Sequence, residues 1–240
     1  MQQFIGKMAR MYPLLIAMGF MMVAIAFVVG YLNSQTAATY FSQPKLLRET
    51  TLLAERASIE STDLWLPYFK FLGIGLILGG IVMALRIIID RLREAGAEVI
   101  ANLPADVRPA LPTPPWYGLL TPVVMMMAEL VFIIALVVAL GLAAEARALF
   151  ANPLPTIDTA GAGTALLATL EGIKATSAWL VPFKFFGIAT HFLAIAMGLG
   201  TIIYILSAQT KLIAEGIDIA RKSAKSERRE DERAPSYADN

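Results

Sequence analysis

Glu129 is the one acidic residue well inside a long apolar run, about seven residues past Pro122. An ionised carboxylate at the centre of a bilayer costs about 2.5–3.5 kcal/mol on insertion scales, so such a residue needs a partner, a cavity or a second helix. The chemistry open to it is an ion or proton site, or a ligand to a bound cofactor. The plainer alternative is a neutral carboxyl or a structural hydrogen bond to a neighbouring helix or subunit. His191, the only histidine, lies about eight residues into another apolar run. If the two meet, they form an acid-imidazole pair able to relay a proton or to hold a metal ion weakly. Counted from the starts of their runs, both fall in the middle third. One histidine with one acid is too small a set for a catalytic metal, so no metal site is assigned and the sequence specifies no cofactor. A packing histidine with a hydrogen-bonded ring is the plainer reading of His191.

Lys70 and Lys184 form a second candidate set, each in a Phe-Lys-Phe context a few residues past a Trp. They read either as a pair of cations aimed at an anion or partner, or as lysines that snorkel to the headgroups while Trp65 and Trp179 anchor the interface. Gly75 with Gly79, and Ala194 with Gly198, have the small-xxx-small spacing that lets membrane helices approach closely. On that basis the second and fourth runs are expected to form the central contact, with the first and third outside. Met125, Met126 and Met127 fall on different sides of a helix, which suits lipid or helix contacts rather than copper binding.

The elements that must position these residues are set by composition. Of 240 residues, 57% are hydrophobic and 16% charged, and the mean hydropathy is +0.64, which places the chain in the membrane class. Four runs suffice to cross a hydrocarbon core of about 30 Å, which takes roughly 20 helical residues. They are Pro13 to Leu32, Tyr68 to Ile89, Gly118 to Ala144 and Phe183 to Leu206. None alternates as a barrel strand does, and all are longer than one, so helices are the expected spanning structure. The first run follows Lys7 and Arg10 in the manner of a signal peptide. Its length and its internal counterpart after Pro122 favour a retained helix.

The chain reads as written twice. Trp65-Leu66-Pro67-Tyr68-Phe69-Lys70-Phe71-Leu72-Gly73-Ile74 returns as Trp179-Leu180-Val181-Pro182-Phe183-Lys184-Phe185-Phe186-Gly187-Ile188, a frame of 114. Upstream the frame is 109, which pairs Pro13 with Pro122 and Phe41 to Pro44 with Phe150 to Pro153. Downstream it becomes 120, which pairs Arg91-Leu92 with Lys211-Leu212. In these frames Glu129 answers Phe20 and His191 answers Ile77, so both break the symmetry, whereas the lysines keep it. The expected fold is therefore an all-α integral membrane protein of four transmembrane helices, arranged as two tandem hairpin repeats of the same orientation about a pseudo-two-fold axis along the membrane normal. The expected organisation is a first repeat over 1–103, a Pro-rich linker over 104–117, a second repeat over 118–222 and a charged tail over 223–240.

Basic residues set the orientation. The side with the termini carries Lys7, Arg10, Arg86, Arg91, Arg93, Arg108 and the bases between Lys211 and Arg233. The other side carries Lys45, Arg48, Arg56, Arg147 and Lys174. Both termini are expected to be cytoplasmic, in a bacterial-type inner membrane. On the outer side, Lys45 to Ile59 and Ala165 to Lys174 read as surface helices, with Gly161-Ala162-Gly163 as a flexible connector. The second run is expected to continue to Pro104, and the fourth through Lys211 to Arg233. Pro104, Pro109, Pro112, Pro114 and Pro115 keep the linker extended until Trp116 and Tyr117 return it to headgroup level.

No cysteine is present, which excludes disulfides, iron-sulfur clusters and thiolate metal sites. There is no phosphate-cradling loop, His-x-x-x-His pair, nucleophile elbow or haem attachment motif, so an enzyme acting alone is not expected. The bases are mixed with acids and lack interleaved aromatics. That argues against nucleic acid and for the bilayer itself, with its anionic lipids, and other membrane subunits or a second copy as partners. The function these features favour is a non-catalytic integral membrane subunit within a larger inner-membrane assembly or homo-oligomer. The rivals are a small ion, proton or solute transporter or channel using Glu129 and His191, and a pigment-, haem- or quinone-associated subunit using His191.

Overall fold

The computed structural model describes residues 11–102, 108 and 113–231. Lys7, Arg10, Pro104, Pro109, Pro112 and Arg233 lie outside the described residues, as do most of the linker and the end of the tail. Among the described residues the chain is all-helical: α1 (Tyr12–Phe41), α2 (Lys45–Thr50), α3 (Leu53–Ala101), α4 (Trp116–Leu149), α5 (Leu154–Asp158) and α6 (Ala165–Asp231). The helices α1, α3, α4 and α6 are long and apolar enough to cross a membrane. In lipid the backbone must satisfy itself, and these helices do so except around Pro67, Pro122 and Pro182, where the missing amide leaves the carbonyl one turn back without its helical partner. Pro13 sits in the first turn of α1, where its missing N–H is not needed. Pro115, extended at φ −61° and ψ 150°, ends the linker and caps α4.

Each long pair is joined on the same side by a short helix that starts after a proline, Pro44 before α2 and Pro153 before α5. This departs from the sequence expectation of surface helices over Lys45 to Ile59 and Ala165 to Lys174. The first stretch breaks at Thr51–Leu52, where the Thr50 hydroxyl donates back to the Leu46 carbonyl and both the Thr51 and Leu52 amides bond to Leu47. From Leu53 the chain already belongs to α3, and Ala165 to Lys174 likewise opens α6. Gly163 turns the α5–α6 connection at φ +84°, a conformation that only glycine adopts readily.

The helix α3 lies at the centre. It packs against α1 on one side and against α4 and α6 on the other, while α4 and α6 pack on each other. The expectation that the first and third spans lie outside therefore fails for α4, which is wedged against both α3 and α6. It holds for α1, whose extensive packing is confined to α3.

The two hairpins close in matching ways. Gly73 of α3 abuts Met22 and Val23 of α1, and Gly187 of α6 abuts Val131 and Phe132 of α4, each partner lying 109 residues beyond its counterpart. Trp65 meets Phe69 edge-on at 5.7 Å, and Trp179 meets Phe183 at 5.5 Å. Between hairpins, α3 and α6 run in the same direction, with Phe71 against Phe185 at 6.0 Å near the loop side and Leu85 against Gly198 deeper in. One pairing has no counterpart. A two-fold axis that sets α3 on α4 would also set α6 on α1, and α1 makes no comparable packing with α6. Both α3 and α6 run as continuous helix through the stretch where the sequence frame changes from 114 to 120.

Candidate functional site

Glu129 projects from α4 toward α3 at the level of two glycines. A Cβ on Gly79 would stand 2.6 Å from Glu129 Oε1, and one on Gly75 would stand 3.2 Å from Oε2. Only glycine leaves room for the carboxyl there. The face of Gly75 and Gly79 thus serves α4 rather than α6, where the spacing alone had pointed. Ala194 is fully buried, and Gly198 receives Leu85.

From α6, His191 completes the arrangement. Its Nε2 lies 3.2 Å from Glu129 Oε1, and its Nδ1 lies 3.1 Å from the Gly187 carbonyl. The histidine is 0% exposed and the Glu129 side chain 18%. Phe132, one turn beyond Glu129 on α4, stacks on the imidazole at 5.4 Å between ring centres and 21° between planes. That ring also meets Gly75 and Gly187, so it fills the junction of three helices.

The hydrogen bonds fix the proton count. A carbonyl only accepts, so Nδ1 carries a hydrogen toward Gly187. One further proton then lies between Nε2 and Oε1, either as a carboxylic acid donating to neutral imidazole or as an imidazolium donating to carboxylate. Both forms have zero net charge, which removes most of the cost of placing an acid in lipid. Glu129 Oε2 is buried without a hydrogen-bond partner. Chemically, the site is a one-proton link between α4 and α6. Both ring nitrogens of His191 are engaged, so an axial-ligand role would require breaking the pair. Among the described residues no cluster of three or more metal-capable side chains occurs.

Toward the side of the termini, a cavity of about 10 Å³ is lined by Met83, Leu85, Arg86, Thr121, Met125 and Gly198 among others. That volume is close to the minimum for one water molecule.

The symmetric lysines diverge. Lys184 Nζ lies over Phe71 at 4.8 Å, Tyr68 at 5.3 Å and Phe185 at 5.5 Å, two of the three rings belonging to α3. Lys70 is exposed. Cation–π contacts contribute about 0.5–2 kcal/mol depending on desolvation. Lys184→Met is therefore expected to destabilise the bundle by an amount in that range, and Lys70→Met by nearly nothing, in parallel thermal melts of the purified variants. Equal effects would count against the cage. Of the methionine run, Met125 is buried and Met126 and Met127 are exposed, as their angular spacing requires.

The sequence singled out Glu129, His191 and the glycines but missed Phe132 and Gly19. Phe132 could have been found three residues from Glu129, on the same helix face. Gly19 carries no signal until its partner Gly73 is known. No protein-family model matches this chain, and neither a curated protein nor a solved structure matches it significantly.

Proposed function

We propose that this chain is a non-catalytic integral membrane subunit, made of two tandem hairpins of the same orientation, that packs within a larger inner-membrane assembly or homo-oligomer with both termini cytoplasmic. The observation that carries the reading is how the intramembrane polar groups are used. Glu129 and His191 satisfy each other across two helices, Gly75 and Gly79 close over the carboxyl, and Phe132 seals the junction. Such a pair holds helices together, whereas a transport pathway needs polar groups facing a continuous wet space. The matching environments of Gly73 and Gly187 and of the two Trp–Phe pairs support descent from one duplicated hairpin. The parallel course of α3 and α6 supports an axis along the membrane normal. The missing α1–α6 contact argues that the rotation about it is not a half-turn.

The test is purification from the native membrane in mild detergent, with native mass and a visible spectrum on one sample. The expected result is a colourless particle heavier than one 26.0 kDa chain. A lone chain would overturn the reading. Gly79→Leu pushes a side chain into the Glu129 carboxyl and is expected to reduce recovery of the assembly at least several-fold, whereas Glu129→Gln, which can still hydrogen-bond His191, leaves recovery unchanged.

One observation favours a second reading, a proton-coupled carrier or channel: Glu129 Oε2 has an unused acceptor site inside the membrane. That reading expects Glu129→Gln to abolish proton-driven flux in reconstituted vesicles with assembly intact.

A further inference from the structure

The contact between the two hairpins is open-ended. On α3, Gly79, Leu85 and Ile89 are buried. Their counterparts 114 residues on, Leu193, Leu199 and Ile203 of α6, are 53%, 47% and 64% exposed. The partner surface shows the same pattern. Glu129 of α4 lies against Gly79, and its counterpart Phe20 of α1 is 62% exposed. The cations repeat it once more: Lys184 of the second hairpin lies on Phe71 of the first, while Lys70 of the first hairpin is exposed. One end of the molecule thus presents the surface that receives a hairpin, and the other presents the surface that is received.

A head-to-tail contact of this kind, repeated by the same rotation, builds a ring if the rotation closes and a chain of subunits if it does not. We propose that α6 of one copy receives α1 of a second copy of this chain on the faces that correspond to those of α3 and α4 within the chain, at a wider spacing because Leu193 and Phe20 stand where Gly79 and Glu129 do. The occupant is a second copy because the first hairpin is the segment whose sequence and internal packing match the hairpin already seated on α3. Leu193, Leu199 and Ile203 on one face and Phe20 on the other are apolar, and Lys70 stands where Lys184 does, so that it would lie over Phe185 as Lys184 lies over Phe71. An axis along the membrane normal keeps the successive hairpins at one depth, as a single bilayer requires. The inference rests on the assembly reading above and gives it a partner, a second copy, and a pair of faces.

Because the chain has no cysteine, engineered thiols report the contact directly. Leu193 and Phe20 are the counterparts of the apposed pair Gly79 and Glu129. Single variants Leu193→Cys and Phe20→Cys, coexpressed and oxidised in native membranes with copper phenanthroline, are expected to give a disulfide-linked dimer. Either variant alone is expected to give at least tenfold less. The double variant F20C/L193C is expected to form a ladder of higher multimers. Phe20→Cys with Val137→Cys, an exposed position of α4, serves as the control and is expected to stay monomeric. Strong dimers from one variant alone, equal yields with the control, or no dimer at all would overturn the proposal. Native mass separates the levels. Several copies of this chain in one particle are the expected result. One copy bound to other polypeptides overturns this inference and leaves the assembly reading standing, and a lone chain overturns both.

Discussion

Phe132→Ala is expected to lower the stability of the purified protein by about 3–5 kcal/mol, the range for deleting a fully buried aromatic ring. The ring is 1% exposed and serves three helices at once. Its edge stands where a Cβ on Gly75 would be 2.5 Å away, and its other side faces Gly187. Glycines cannot move inward to refill the space, so the cavity remains. The loss also removes the apolar wall over the imidazole and admits water to the Glu129–His191 pair. Denaturant titration in mild detergent, followed by the fluorescence of Trp65, Trp116 and Trp179, would read the effect. Phe132→Leu should lose about half as much, and a shift below about 1 kcal/mol for the alanine variant would contradict this packing.

Gly19→Leu is expected to separate α1 from the rest of the bundle. A Cβ at this position would lie 2.5 Å from the carbonyl oxygen of Gly73 and 3.0 Å from the backbone nitrogen of Ile77. Both obstacles are backbone, which cannot rotate aside as a side chain can. Overpacking costs roughly 1–3 kcal/mol or more even where neighbours yield. Since α1 has no other extensive helix contact, the whole helix shifts outward. The expected readout is a selective one. A thiol probe placed at Ala26, buried on α1, becomes reactive, while His191, on α6 across α3 from α1, keeps its native imidazole NMR signature. Loss of both together would mean that the bundle unfolds as one unit and that α1 is not a separable layer.

The four spans were legible because length and apolarity alone determine what can cross a bilayer. The kinds of residue at the site were legible for a related reason, since Glu129 and His191 stand out against an apolar background. Their contact was not. Counting residues from the start of a run gives depth but not the rotation of a helix about its axis, and rotation decides whether two side chains at equal depth face each other. The glycine spacing had the same limit. It marks a face that permits close approach without naming the helix that approaches, and here Gly75 and Gly79 receive Glu129 and Phe132 of α4. The surface helices were misplaced because the apolar period runs on through Thr50 and Thr51, while the hydroxyl bond that ends α2 leaves no trace in the hydropathy pattern. The place of α4 was missed because a hairpin repeat fixes each helix's partner within its own hairpin but says nothing about how hairpins sit side by side.

The length of α6 has a mechanical consequence. Beyond Leu206 the helix continues without a break to Asp231, and α3 accompanies it as far as Ala101. The two are clamped where the Gln209 amide donates to the Leu92 carbonyl at 2.6 Å and its side chain lies against Gly96. At 1.5 Å per residue, α6 extends roughly 38 Å beyond Leu206, the end of its apolar run. A rigid rod of that reach is a lever. A tilt of about 10° within the bilayer would sweep its tip sideways by about 6 Å, a displacement on the scale of one helical turn. A sideways force at the far end of α6 therefore has mechanical advantage over the packing around His191, and a small rotation of the helix near His191 would arrive at that end as a large movement.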